Sequence, residues 1–191
     1  MSATLENAAG SLDAAYRYDR LQRALHWGMA AIILVAVAIG FYCSLLTPGT
    51  PTRKALLEIH KSLGTTAFWL VLIRIGYRLI AGAPAYRRPL DRLTHVGAAS
   101  AHGALYLLMI AMPVTGYLFS AAGGYSLPWF GLFQWPRLTP SDADLAHWGQ
   151  WLHGWGAYFI YAVLAAHIAA VAWHQLVKKD EVLARMLPPR S

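Results

Sequence analysis

The sequence predicts an all-α integral membrane protein, a bundle of four spanning helices. Three observations carry that reading. Of 191 residues, 57% are hydrophobic and only 13% charged, with a mean hydropathy of +0.39, far from the balance of a soluble domain. Four stretches stay apolar over the ~20 residues needed to cross a hydrocarbon core about 30 Å thick. The 16 Lys and Arg cluster between those stretches and are not interleaved with aromatics. The net charge of +7 therefore reads as membrane topology, and nucleic-acid binding is excluded.

A single domain over residues 1–191 accommodates the four spans. The first, about residues 25–46, reads "LHWGMAAIILVAVAIGFYCSLL". Its apolar run exceeds the ~7–15 residues of a signal-peptide core and no small-residue cleavage site follows, so it is an anchor. Cys43, the only cysteine, lies inside it. One cysteine excludes an intrachain disulfide and a thiolate cluster, which leaves a small buried filler. The second span, about residues 57–81, is weakened by Glu58, Lys61, Arg74 and Arg78, whose side chains must snorkel or face something polar. The third covers about residues 101–123, and Pro113 with Thr115 and Gly116 is expected to kink it. The fourth covers about residues 150–177.

Basic residues orient the bundle. Arg17, Arg20 and Arg23 precede span one, Arg87, Arg88 and Arg92 lie between spans two and three, and Lys178, Lys179, Arg185 and Arg190 follow span four. The positive-inside bias then puts both termini and the middle loop in the cytoplasm. The loop "SLPWFGLFQWPRLTP" falls outside, with Trp129 and Trp135 suited to an interfacial belt. No internal repeat is visible.

Eight histidines is a high number for this length, and six lie in spans or at their mouths. Ionisable groups in a membrane are costly and face the bundle interior with a partner. Span one rises from the cytoplasm, so His26 is near the inner surface. Span two descends, so His60 is near the outer one. In span four His153 is outer and His167 inner, about 21 Å apart and within about 40° of one face. Depth pairs His26 with His167 and His60 with His153, as a four-helix bundle requires to ligate two metals in its core. Zinc would need three or four ligands, and copper would recruit Cys or Met. Two imidazoles on opposite sides of a macrocycle satisfy haem iron, giving two bis-histidine b haems. Gly28, Gly64, Gly154 and Gly156 near these positions would let a porphyrin lie close to a backbone, or they serve helix packing.

The segments "RYDRLQRALHW", "IHKSLGTTAFWLVLIRIGYRL" and "HGALYLLMIAMPVTG", with the paired histidines of span four, resemble the prokaryotic cytochrome b561 family over Tyr16 to Pro188. The resemblance implies a multi-pass dihaem cytochrome b of the bacterial inner membrane with His26, His60, His153 and His167 as ligands. It further implies an oxidoreductase taking electrons from superoxide outside and reducing ubiquinone. An electron-relay subunit joining a partner dehydrogenase or hydrogenase to quinone is the alternative. Ala99 stands where members often carry a histidine three residues before His102.

With both axial positions filled, outer-sphere electron transfer is the expected chemistry. Lys61, with Arg53 and Lys54, forms a cationic mouth that would attract an anion such as superoxide, unless these residues only snorkel. His174 shares the face of His167 two turns deeper and would bond a quinone oxygen, or else it is an interfacial histidine. Arg74 and Arg78 suit haem propionates. His102, at inner depth, competes with His26 as a ligand or contacts a propionate. His95 and His147 are placed in loops. Short tails favour a stand-alone protein over a relay subunit. A non-redox transporter or scaffold with a histidine proton relay is the third reading, and it predicts a colourless protein.

Overall fold

The computed structural model describes residues 15–188, so Arg190 lies outside the described residues. Four long helices dominate, α1 (Arg20–Leu45), α2 (Pro51–Ala81), α3 (Arg92–Ala122) and α4 (Ala143–Trp173). All four are long and apolar enough to cross a membrane. Each begins several residues before its apolar window, and three of the starts are set by a polar cap that hydropathy does not register. The carboxylates of Asp19, Asp91 and Asp142 accept the amides of Gln22, Thr94 and Leu145, satisfying donors that a helix start leaves orphaned. The Thr94 hydroxyl and amide hold the Asp91 carboxyl down at about 2. Pro51 opens α2, where its missing N–H costs nothing. These extensions bring His95 and His147 onto the first turns of α3 and α4, both exposed, instead of into loops. α3 runs unbroken through Pro113.

The helices form two tight hairpins, α1 against α2 and α3 against α4, joined along α2 and α3. α1 and α4 meet at no more than isolated points. The interior is thin: Met29, Cys43, Ala67, Val71 and Ile160 are buried, and Cys43 is the small filler expected of it. Large side chains such as Leu34, Ile73, Leu107 and Phe159 point outward, where lipid in place of water receives them.

The α3–α4 connection carries a β-hairpin that the sequence reading missed. β1 (Pro128–Trp129) and β2 (Phe133–Gln134) pair antiparallel, Trp129 opposite Phe133. The Leu132 amide donates to the Trp129 carbonyl across Phe130 and Gly131, both at positive φ, a tight turn inside the three-residue loop that joins the strands. Strands this short carry no alternation to read.

At the opposite end the C-terminal segment folds back under the bundle. α4 passes into a π-helical turn (His174–Lys178) and then a short 3-10 turn (Ala184–Met186). Arg185 is 3% exposed. Its guanidinium donates to the carbonyls of Tyr16, Pro84 and Ala85 and lies 3.6 Å over the Tyr86 ring. One buried cation thus ties the N-terminal segment, the α2–α3 loop and the C-terminal segment together. Arg185→Ala strands three carbonyls, a loss on the order of 3 kcal/mol. The thermal midpoint of the detergent-solubilised protein is expected to fall, with Arg185→Lys recovering only part of it because it cannot reproduce the fork.

Facing histidine pairs as the candidate functional site

Four of the six span histidines meet in two couples across the gap between the hairpins. At the end bearing the β-hairpin, His60 of α2 faces His153 of α4, ring centroids 6.1 Å apart and planes crossed at 88°. At the end bearing the termini, His26 of α1 faces His167 of α4 at 6.5 Å and 67°. Two metal–nitrogen bonds of about 2 Å, plus about 1.2 Å from each nitrogen to its ring centre, place two imidazoles on one metal about 6.4 Å apart. Both couples lie close to that span. Among the described residues no group of three or more His, Cys, Asp or Glu converges to hold a bare ion.

The hairpin-end rings are fixed from behind. His60 Nδ1–H donates to the Ala36 carbonyl of α1 at 2.8 Å, and His153 Nδ1–H donates to the Met112 carbonyl of α3 at 2.9 Å. Thr115 Oγ1 is 3.3 Å from that same His153 Nδ1. A committed Nδ1 leaves Nε2 with the lone pair, the arrangement typical of metal-bound histidine. Gly40, which the sequence did not single out, and Gly116, which it marked only as part of the Pro113 kink, lie against these rings. Of the glycines it did single out, Gly28, Gly64 and Gly154 face open space and Gly156 packs on Met112.

The chain also aligns with known proteins. The profile described as prokaryotic cytochrome b561 matches residues 17–189. The chain belongs to the prokaryotic cytochrome b561 family. It is 30% identical over 175 residues to cytochrome b561 homolog 2 of Escherichia coli K12, covering 92% of this chain and 93% of that one. It is 30% identical over 181 residues to the probable superoxide oxidase CybB of Yersinia pestis, covering 91% and 97%. It is 28% identical over 179 residues to cytochrome b562 of Cereibacter sphaeroides, covering 91% and 96%. As a cytochrome b561 member it is a multi-pass bacterial membrane protein of electron transfer, in a family that typically binds haem b.

The remaining candidates distribute between the two ends of this cytochrome b561 chain. His102 of α3 stands 5.5 Å from His167, with its own Nδ1–H donated to Ala98. Arg74 interacts electrostatically with His26, His102 and His167 and donates to the Tyr106 hydroxyl at 3.2 Å. Arg78 is turned away, onto Gln22 and the Gly82 carbonyl. His174 donates Nδ1–H to Asp180 at 2.5 Å, inside the π-helical turn. Lys61 donates to the Ser126 carbonyl at 2.8 Å and lies 5.7 Å from the Tyr125 ring centre.

Lys61 is one of three α2 residues that seat the β-hairpin over this end. Thr66 accepts the Trp129 indole N–H. Ser62, buried, accepts the Phe130 amide and lies 3.1 Å from the Pro128 carbonyl. Ser62→Ala leaves those groups unpaired, at about 1–3 kcal/mol. Faster hydrogen exchange across residues 126–135, with the helices unchanged, is the expected result.

Proposed function

We propose that the chain is a dihaem electron carrier that takes electrons from superoxide at the hairpin end and delivers them to ubiquinone at the terminal end. One observation carries the reading: two imidazole couples, contributed by opposite helical hairpins, face each other at a metal-spanning distance and at two depths. In this reading His60 and His153 are axial ligands at the hairpin end, His26 and His167 at the terminal end. His26 is preferred to His102 because its 6.5 Å separation from His167 suits two bonds to one metal, whereas 5.5 Å is short. The sparse contact between α1 and α4 supports room for a flat macrocycle. Bound haem b would supply two one-electron iron couples without an open coordination position, which suits outer-sphere transfer.

The protein's own side chains supply the rest. Lys61, Arg53 and Lys54 crowd positive charge at the hairpin end, raising the local concentration of an anion. The bond from Lys61 to Ser126 holds that charge in place. Arg74 offers donors to the carboxylates at the rim of a macrocycle, and His102 beside it would do so when its Nε2 is protonated. At the terminal end Asp180 orients the His174 ring, whose Nε2, when it carries a proton, can donate to a quinone oxygen. Two superoxide ions would each give up one electron and leave as O2, and ubiquinone would take two electrons and two protons to become ubiquinol. The name of the Yersinia relative, probable superoxide oxidase, supports this donor. The basic residues flanking the terminal end support its lying in the cytoplasm.

Haem quantitation with reduced-minus-oxidised spectra tests the ligand set. Two b haems per chain are expected. His60→Ala or His153→Ala should remove one, His26→Ala or His167→Ala the other, and His102→Ala neither. A colourless wild-type protein would overturn the reading. Stopped-flow mixing with superoxide should give rates that fall as salt rises, and Lys61→Gln should lower them several-fold. A red protein inert to superoxide would replace this donor with a partner dehydrogenase.

A further inference from the structure

We propose that Gly40 and Gly116 are matched positioning residues: the bare backbone at each lets an imidazole from the neighbouring helix settle on the carbonyl four residues earlier, fixing both rings of the hairpin-end couple. The inference rests on the ligand reading above and specifies how that site is built.

The geometry occurs twice. On α1 the Ala36 carbonyl accepts His60 Nδ1–H, and Gly40 follows it by four. A Cβ at Gly40 would stand 3.0 Å from His60 Cε1 and 3.4 Å from Nδ1. On α3 the Met112 carbonyl accepts His153 Nδ1–H, and Gly116 follows it by four. A Cβ there would stand 3.0 Å from His153 Cε1 and 3.2 Å from Nδ1. The local sequences are AVAIG and MPVTG, which share only the final glycine. Among the described residues no other glycine lies against a histidine. Gly28, Gly64, Gly76, Gly97, Gly103 and Gly154 have open space around them, and Gly149 and Gly156 meet α3 backbone and Met112.

The reason is steric and then electronic. A helix carbonyl already receives the amide four residues on, so a second donor must approach from the side, past residue i+4. A methyl group at that residue would press on the ring at a distance tighter than ordinary contact and lengthen its hydrogen bond. The bond matters because it holds the proton on Nδ1, leaves Nε2 to the metal and raises the basicity of the ring. Each ring is anchored to its own hairpin, and the planes cross at 88°. On a bound haem, ring planes crossed in this way would leave two iron d orbitals nearly degenerate and give a strongly anisotropic low-spin ferric signal.

The test is Gly40→Ala and Gly116→Ala in the haem-loaded protein, with Gly76→Ala as the control. Each of the two should raise the midpoint potential of one haem, because a ligand with a weakened carbonyl bond donates less to ferric iron. Each should also reduce the anisotropy of that haem's paramagnetic resonance signal. Both must act on the component lost in His60→Ala and His153→Ala, with the second haem and the control unchanged. Glycine variants that leave both haems at wild-type values, or that alter different haems, overturn the inference alone. His60→Ala or His153→Ala retaining both haems overturns it together with the ligand reading. If neither glycine variant accumulates in the membrane, 15N-histidine spectra of the reduced, diamagnetic protein decide. Two Nδ1–H protons that resist exchange with D2O are expected, and fast exchange of all of them overturns the proposal.

Discussion

A polar group inside the hydrocarbon layer must find its partners within the protein. An imidazole has two nitrogens to satisfy, and the hairpin-end couple divides them. One goes to a backbone carbonyl of the neighbouring helix in the same hairpin, and the other keeps its lone pair on a ring that faces its partner across the gap. The helix packing follows from this division. α1 must lie close to α2, and α3 to α4, for a ring to reach a carbonyl already used by its own helix. α1 and α4 touch only sparsely, since the rings, not the backbones, span the distance between hairpins.

The end carrying the termini satisfies the same constraint differently. Three imidazoles and a guanidinium gather there. His102 is tied to its own helix and Arg74 to a tyrosine hydroxyl. Neither His26 nor His167 makes a protein hydrogen bond among those seen in the described residues, so ring position is set by helix packing and by electrostatic neighbours. Beneath them Arg185 closes the bundle, a buried cation held by carbonyls and aromatic faces. Such a charge is tolerated only where its donors are met, and here they staple three segments together.

Much of this is legible in the sequence, and the limits have physical causes. The four spans stand out because 20 apolar residues in a row have few other uses. The histidine couples emerge from depth alone, since rise per residue converts numbering into height. Azimuth does not convert so simply. His26 and His102 share a depth, and only coordinates show that the first is 6.5 Å and the second 5.5 Å from His167. Gly40 and Gly116 are invisible for the same reason, because their partners sit on another helix. The glycines next to the histidines in sequence point elsewhere. Arg185 reads as one more positive-inside charge until the chain is seen to fold back over it.

The unequal anchoring of the two couples bears on direction. At the hairpin end both rings are already held in one tautomer, so gaining and losing an electron there need move little of the protein, the condition that keeps reorganisation small. An entry point for a small diffusing anion benefits from such rigidity, since the donor brings no binding energy to order the site. At the terminal end His26 and His167 have no such anchor among the described residues, and Arg74, with one guanidinium nitrogen on Tyr106, keeps further N–H donors. Reduction of a quinone consumes protons as well as electrons, and groups that still have donors to offer are needed where that happens. Within the proposed function, the hydrogen-bond pattern would suit electron entry at the carbonyl-anchored couple and delivery at the other, the same polarity that the cationic hairpin mouth would suit on electrostatic grounds.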